Sequence, residues 1–259
     1  MLKQNPISSF RQGFFYPFRA FRFIRKHPRL YTYILIPFSI NLGVFSLTIF
    51  YGLGFFFDLA SRYVPQGDAW YWFLLNYLLM AVAILVTLVL VFFTFTVVGS
   101  LIASPFNDIL SERTEELLTG KTSDEPFVLK TFFTDSAQVL LVESKKIGVF
   151  LIGMLLLFSL NILPIIGSLL FSILSVAWTV FFLVIEFTGY VFSRKRLAFR
   201  QQRHIIFKEF SLMAGFGIGV FCVLAIPFFQ FFAIPLGVVG ATLLLYDSGT
   251  LSSDSQIKG

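Results

Sequence analysis

Hydrophobic and polar positions divide the chain into two kinds of segment. Four blocks hold no charged residue: 30–57, 69–107, 147–185 and 210–246, of 28, 39, 39 and 37 residues. A helix of about 20 apolar residues crosses a hydrocarbon core about 30 Å thick, so every block is long enough to reach across. The first two have no strong central breaker. Pro37 stands only eight residues into its block, where proline is tolerated. They predict two long transmembrane helices, 30–57 and 69–107. As one straight helix the second would measure about 58 Å, so it tilts, kinks or projects.

The other two blocks are interrupted. Asn161, Pro164 and Gly167 cluster at the centre of one, and Pro227, Gln230 and Pro235 in the other. Proline removes a helix donor and clashes with the preceding turn, so the segments 147–192 and 210–246 are expected as proline-broken helical hairpins. Their leading legs, 147–160 and 210–226, contain 14 and 17 residues. Lengths so close to the minimum fit either full spans or hairpins that enter part way and return.

At 99–120, "GSLIASPFNDILSERTEELLTG", the chain turns from uncharged to amphipathic within one turn. Ser104 fits an N-cap, Pro105 a first helical position and Gly120 the residue just past a helix end. A new helix is expected there, with Ile109, Leu110, Leu117 and Leu118 on its apolar side. The stretch 122–146 reads as a turn and a second amphipathic helix, giving cytoplasmic helices over 108–146. At the amino terminus Phe14, Phe18 and Phe21 recur at i, i+4, i+7, and Arg19, Arg22 and Lys26 at i, i+3, i+7. That pattern predicts a basic helix over 1–29 lying in the membrane interface, with Pro17 a candidate break in its first turn.

Composition agrees with a bilayer as the main solvent. Of 259 residues 57% are hydrophobic and 13% charged, against about 25% charged in ordinary soluble domains. Mean hydropathy is +0.83. The formal charge of +6 suits contact with anionic headgroups. The segment 1–29 holds seven Lys and Arg, the loop 58–68 one, and 194–209 six. By the positive-inside rule both termini, 108–146 and the basic segment 194–209 are expected in the cytoplasm, with the tail 247–259 beside them, and 58–68 outside. No apolar stretch follows a short basic start, so no cleaved signal peptide is expected. Cys222, the one cysteine, reads as a small core hydrophobe.

Catalytic chemistry finds little support. His27 and His204 are the only histidines, and neither has ligand-type neighbours at metal-binding spacing, so no metal, cofactor or nucleic-acid partner is expected and an enzyme is disfavoured. "TGKTS" at 119–123 lacks the first glycine of a phosphate loop, since Glu115 stands there. The glycines of "GFGIG" at 215–219 fit close helix packing better than a dinucleotide site. Three features remain. The basic cluster around Arg22, Arg25 and Arg29 fits lipid headgroups and topology, or an anion-collecting pore mouth, because the guanidinium fork offers paired donors. Glu186, the one acid in an apolar run, is a functional or an interfacial residue. Asn161 and Gln230 either line a water path or bond backbone freed by the prolines.

Four stretches carry a family resemblance: 13–41 "GFFYPFRAFRFIRKHPRLYTYILIPFSIN", 102–120 "IASPFNDILSERTEELLTG", 163–170 "LPIIGSLL" and 234–247 "IPLGVVGATLLLYD". Together they resemble the CysZ-type sulfate permeases, part of a wider group that includes eukaryotic etoposide-induced-protein relatives. The resemblance implies an all-α integral membrane protein with two long transmembrane helices and two hairpins penetrating part of the bilayer. It implies a bacterial inner-membrane homo-oligomer that passes sulfate or a similar oxyanion for cysteine biosynthesis without ATP hydrolysis. It directs attention to Ser104, Pro105, Phe106 and Asn107 as pore or motif candidates. In the family a Gly-Leu-Arg-Arg stretch after the proline is associated with sulfate binding; here Pro28 is followed by Arg29, Leu30, Tyr31 and Thr32. The anion-site candidates are therefore Arg22, Arg25, Arg29, Tyr31 and Thr32. The competing reading is a non-transporting relative that shapes the bilayer or scaffolds partners.

Overall fold

The computed structural model describes residues 5–63, 70–120, 145, 148–163, 166–195, 197–226 and 229–249. Among these no strand occurs. The helices are α1 (Pro6–Phe14), α2 (Tyr16–Lys26), α3 (Leu30–Tyr63), α4 (Trp70–Thr119), α5 (Gly148–Ile162, closing in the 3-10 turn Ser159–Ile162), α6 (Gly167–Arg194), α7 (Phe199–Lys208), α8 (Phe210–Leu224) and α9 (Gln230–Asp247). Stretches of α3 (Leu30–Gly52), α4 (Tyr71–Val91) and α6 (Gly167–Arg194) are long and apolar enough to cross a membrane. The protein is an all-helical membrane protein. α7 and α8 meet at 91°.

The chain forms two compact units, Met1–Ile34 with Asn107–Gly259, and Leu35–Phe106. The second holds parts of α3 and α4. There Gly52 faces the Thr87 methyl, and Thr87 and Val91 are buried while Leu85, Leu88 and Val89 are exposed. An oily outward surface of this kind suits hydrocarbon. The Thr87 hydroxyl donates to the Ala83 carbonyl at 2.8 Å, which satisfies it within its own helix.

α9 is the centre of the first unit. Ala233, Val238, Val239, Ala241, Leu244 and Leu245 are all fully buried, packed with Phe187, Val191 and Phe192 of α6 and Met213, Phe216 and Val220 of α8. α1 is capped by the Asn5 side chain, which accepts from the Ile7 amide, and Pro6 takes its first position. It lies almost backbone to backbone on α8. A Cβ built on Gly215 would stand 2.1 Å from the Phe10 carbonyl oxygen, one on Gly219 2.4 Å from that of Phe14, and one on Gly13 2.0 Å from that of Leu212. The close packing expected of 215–219 is present.

Several expectations are corrected. No new helix begins at Ser104. α4 runs unbroken for 50 residues with Pro105 inside it, so Ser104 caps nothing. Proline costs one amide donor and crowds the preceding turn, and a helix of this length continues past one such site. At about 1.5 Å per residue α4 measures about 75 Å, more than twice a hydrocarbon core. It does end at Gly120, whose φ of 69° is the left-handed conformation that glycine adopts freely; the Gly120 amide donates to the Glu116 carbonyl at 2.8 Å. The amino-terminal helix breaks at Phe15, with Pro17 in the first turn of α2. Tyr16, Ala20 and Ile24 dock it, whereas Phe18 and Phe21 stay exposed. Pro235 lies inside α9, past the break at 225–229. Cys222 is exposed on the outer side of α8. The second amphipathic helix expected within 122–146 lies outside the described residues.

The glycine contacts generate a prediction. Gly215→Ala or Gly219→Ala pushes a methyl against backbone that cannot rotate away, and costs about 1–3 kcal/mol. Gly189→Ala, whose added methyl meets nothing within 4 Å, is the control and changes stability by less than about 1 kcal/mol. Thermal unfolding in detergent separates the two; equal losses at all three positions would refute the packing account.

Candidate functional site

Three apolar helices each carry a polar stripe at intervals of four residues, and the stripes converge. On α4 it is Asn107, Ser111 and Glu115; on α6, Glu186, Tyr190 and Arg194; on α9, Thr242 and Tyr246. Residues four apart share one helix face. Asn107 Nδ2 donates to the Tyr190 hydroxyl at 3.3 Å, and Tyr190 donates to Glu186 Oε1 at 3.4 Å. One turn further, Ser111 and Thr242 share a hydrogen bond of 2.9 Å, and Thr242 donates to the Val238 carbonyl at 2.9 Å. Ser111, Thr114 and Thr242 are fully buried and Asn107 nearly so. Buried polar groups of this sort carry a penalty unless paired, and each of these has its partner.

The ladder ends on a charged knot. Arg194 Nη2 donates to Ser111 Oγ at 2.8 Å and pairs with Glu115 Oε2 at 3.1 Å. Lys195 and the Tyr246 hydroxyl both bond the other oxygen, Glu115 Oε1. Lys195 also stands 5.7 Å from the centre of the Tyr246 ring. Side-chain exposure is 17% for Glu115 and 19% for Arg194. Burial alone would raise the Glu115 pKa. The hydrogen bonds from Lys195 and Tyr246 and the charges of Arg194 and Lys195 win, and hold the carboxyl below its usual range. Burial likewise works against the Lys195 ammonium, and Glu115 more than offsets it, so its pKa is raised.

A second, smaller set ties α2 to the end of α9. The Tyr16 hydroxyl, fully buried, donates to Asp247 Oδ2 at 3.1 Å, and Arg19 pairs with the same oxygen at 3.4 Å. Burial and the Asp247 carboxylate push the Tyr16 hydroxyl up to about 12, so it stays a donor throughout the physiological range.

The residues singled out from sequence fall into three groups. Asn107 and Glu186 are brought together through Tyr190. Arg22, Arg25, Arg29, Tyr31 and Thr32 stand exposed around the end of α2 and the start of α3. Among the described residues none of the three arginines makes a hydrogen bond or ion pair. Ser104, Pro105 and Phe106 are half-buried within α4, and Asn161 is exposed, its amide donating to the Phe158 carbonyl at 2.9 Å. The Gln230 side chain lies outside the described residues. Sequence reasoning missed Ser111, Glu115, Tyr190, Lys195, Thr242 and Tyr246. The signal was present as the interval of four, spread over three segments far apart in the chain.

The knot fixes a pH dependence. A depressed Glu115 pKa adds stability that is complete above the ordinary carboxylate pKa, about 4.3, and is lost as pH falls through the lower folded value. A raised Lys195 pKa adds stability that is complete below about 10.4 and is lost as pH rises through the higher folded value. Glu115→Gln therefore lowers the melting temperature in detergent by an amount constant from about pH 5 to pH 9, and the gap to wild type closes in stronger acid. A gap that widens toward acid contradicts the assignment.

The segments that carry Ser111, Glu115, Arg194 and Lys195 are matched in known proteins, and Tyr246 lies beyond the family match. The family described as "Sulfate transporter CysZ/Etoposide-induced protein 2.4" matches residues 16–235. A protein of Pseudomonas paraeruginosa named "Sulfate transporter CysZ" is 30% identical over 216 residues, covering 83% of this chain and 87% of its own length. A Pseudomonas aeruginosa protein of that name is 29% identical over the same shares. One from Pectobacterium atrosepticum is 26% identical over 246 residues, 94% of this chain and 87% of its own. With α2 to α8 and the start of α9 all inside the matched region, the chain belongs to the sulfate transporter CysZ/etoposide-induced protein 2.4 family.

Proposed function

We propose that this protein passes sulfate or a related oxyanion across the inner membrane of a bacterium, without ATP hydrolysis, to supply cysteine biosynthesis. One observation carries the reading beyond the family's name. Arg22 and Arg25 share a face of α2, Arg29 follows just before α3, and all three are exposed. Cations left exposed where the chain enters its first apolar span raise the local concentration of an anion. Tyr31 and Thr32 add hydroxyl donors beside them. Both termini and 194–209 face the cytoplasm in this reading, and the protein works as a homo-oligomer. Phe18 and Phe21 then rest in the headgroup layer of an anionic bilayer.

A short helix also favours a second reading. α8 has 15 residues, about 22 Å of helix, less than a hydrocarbon core, and such a wedge bends one leaflet. A protein that only shapes the membrane gives no flux.

Two experiments test the proposal. Purified protein in liposomes is expected to pass labelled sulfate faster than empty vesicles, and the triple Arg22→Gln, Arg25→Gln, Arg29→Gln variant to lose at least about tenfold of that flux at sulfate below KM, since 1.4 kcal/mol is a factor of ten. Wild-type flux equal to empty vesicles removes the transport reading; an unimpaired triple variant removes the arginines from it. For topology, with Cys222→Ala as background, Arg203→Cys should react with an impermeant maleimide only after cells are opened, and Gln66→Cys in intact cells. The reverse pattern overturns the orientation.

A further inference from the structure

Charge in the knot is unbalanced. Two cations, Arg194 and Lys195, converge on the single carboxylate of Glu115. A tetrahedral dianion would neutralise both. The donors are arranged for more than a carboxylate uses. Arg194 has a planar fork of five N–H groups. Its Nη2 serves Ser111 and Glu115, while its Nε is buried and meets no acceptor among the described residues. Lys195 carries three donors, and Ser111 and Tyr246 add hydroxyls around the same point. A buried donor without an acceptor is rare enough to need a reason.

Glu115 is also badly placed as a permanent partner. It lies one turn from the end of α4, where the helix dipole is negative and disfavours an acid, and the final turn after it holds no basic residue. What holds the carboxylate is α6 and α9, not its own helix. Its environment therefore suits exchange for a stronger acceptor set.

We propose that Arg194, Lys195, Ser111 and Tyr246 form a second oxyanion site, and that Glu115 occupies it as a built-in competitor, giving way when a sulfate-type dianion takes its place. The proposal rests on the oxyanion reading above and adds a site built from residues other than Arg22, Arg25 and Arg29. Glu115 acts as a plug. Only the fraction of molecules with Glu115 displaced binds, so apparent affinity is lowered by that fraction. No covalent step is involved.

The test measures sulfate binding to the full-length protein in detergent by titration calorimetry, with chloride at equal ionic strength as the control. Glu115→Gln keeps the size and removes the charge, and is expected to bind sulfate at least about tenfold more tightly than wild type. Glu115→Asp, one methylene shorter and unable to reach both cations, is the second variant and should fall between. Adding Arg194→Gln to Glu115→Gln should abolish the gain. Unchanged or weaker binding in Glu115→Gln overturns the plug, as does a gain that survives Arg194→Gln; if Glu115→Gln fails to fold, Glu115→Asp decides by the same criterion. Wild-type liposome flux runs in parallel. Sulfate flux with no gain in the variants sinks the second site alone, whereas no sulfate flux and no binding by any form sinks the oxyanion reading with it.

Discussion

One carboxylate facing two cations sets the polar architecture of the first unit. Glu115, Arg194 and Tyr246 belong to α4, α6 and α9, and without their mutual bonds each would be a charge or a hydroxyl at the end of a largely apolar helix. Isolated charges of this kind lower stability far more when one partner is removed than they raise it when both are present. The arrangement therefore specifies register more than it adds net stability. Shifting any of the three helices by one residue would turn its stripe away from the other two. The ladder from Glu186 through Tyr190, Asn107, Ser111 and Thr242 repeats the same demand one turn at a time.

Apolar packing alone is a weak guide to register where lipid is as oily as the helix surface. Contact then depends on how closely backbones approach. α1 on α8 shows the solution, with Gly215 and Gly219 placing helix backbone against the carbonyls of Phe10 and Phe14. α9, buried along most of its length, uses its glycines to admit rings rather than backbone. It draws its position from α6 and α8 by size, with Phe187 against Gly237 and Phe216 against Gly240. Close approach and polar ladders thus divide the work between the outer helix pair and the inner one.

The long-range character of the fold was legible because block length and charge spacing report solvent directly. Four uncharged blocks, the breaks near Asn161 and Pro227 and the stop at Gly120 were all readable from residue type. Local punctuation was less reliable. Ser104-Pro105 has the composition of a helix start, yet α4 passes through it, at the cost of one missing donor. Pro235 likewise is inside a helix. Phe14, Phe18 and Phe21 form the stronger apolar repeat in the amino-terminal segment, but the docking stripe is Tyr16, Ala20 and Ile24, whose smaller and hydrogen-bonding side chains fit against α9. The arginines were visible as a cluster, while the knot was not. Its members are dispersed from Asn107 to Tyr246, and only folding makes the three stripes one site.

The contrast with the family's amino-terminal motif has a physical reading in this chain. Of the four residues after Pro28 only Leu30 is buried, opening α3 and packing into the core cluster. Its neighbours Arg29, Tyr31 and Thr32 are exposed. Packing fixes the leucine; nothing in the fold fixes the residues beside it. The turn that carries them is held separately, by the Leu30 amide donating to the His27 carbonyl at 3.0 Å and by the His27 ring against Phe23 with centroids 4.3 Å apart. Positive charge at this corner can then be supplied from the preceding helix turn, by Arg22 and Arg25, without altering the backbone that presents it. Packing sets the platform, and in this chain the cations stand at exposed positions around it.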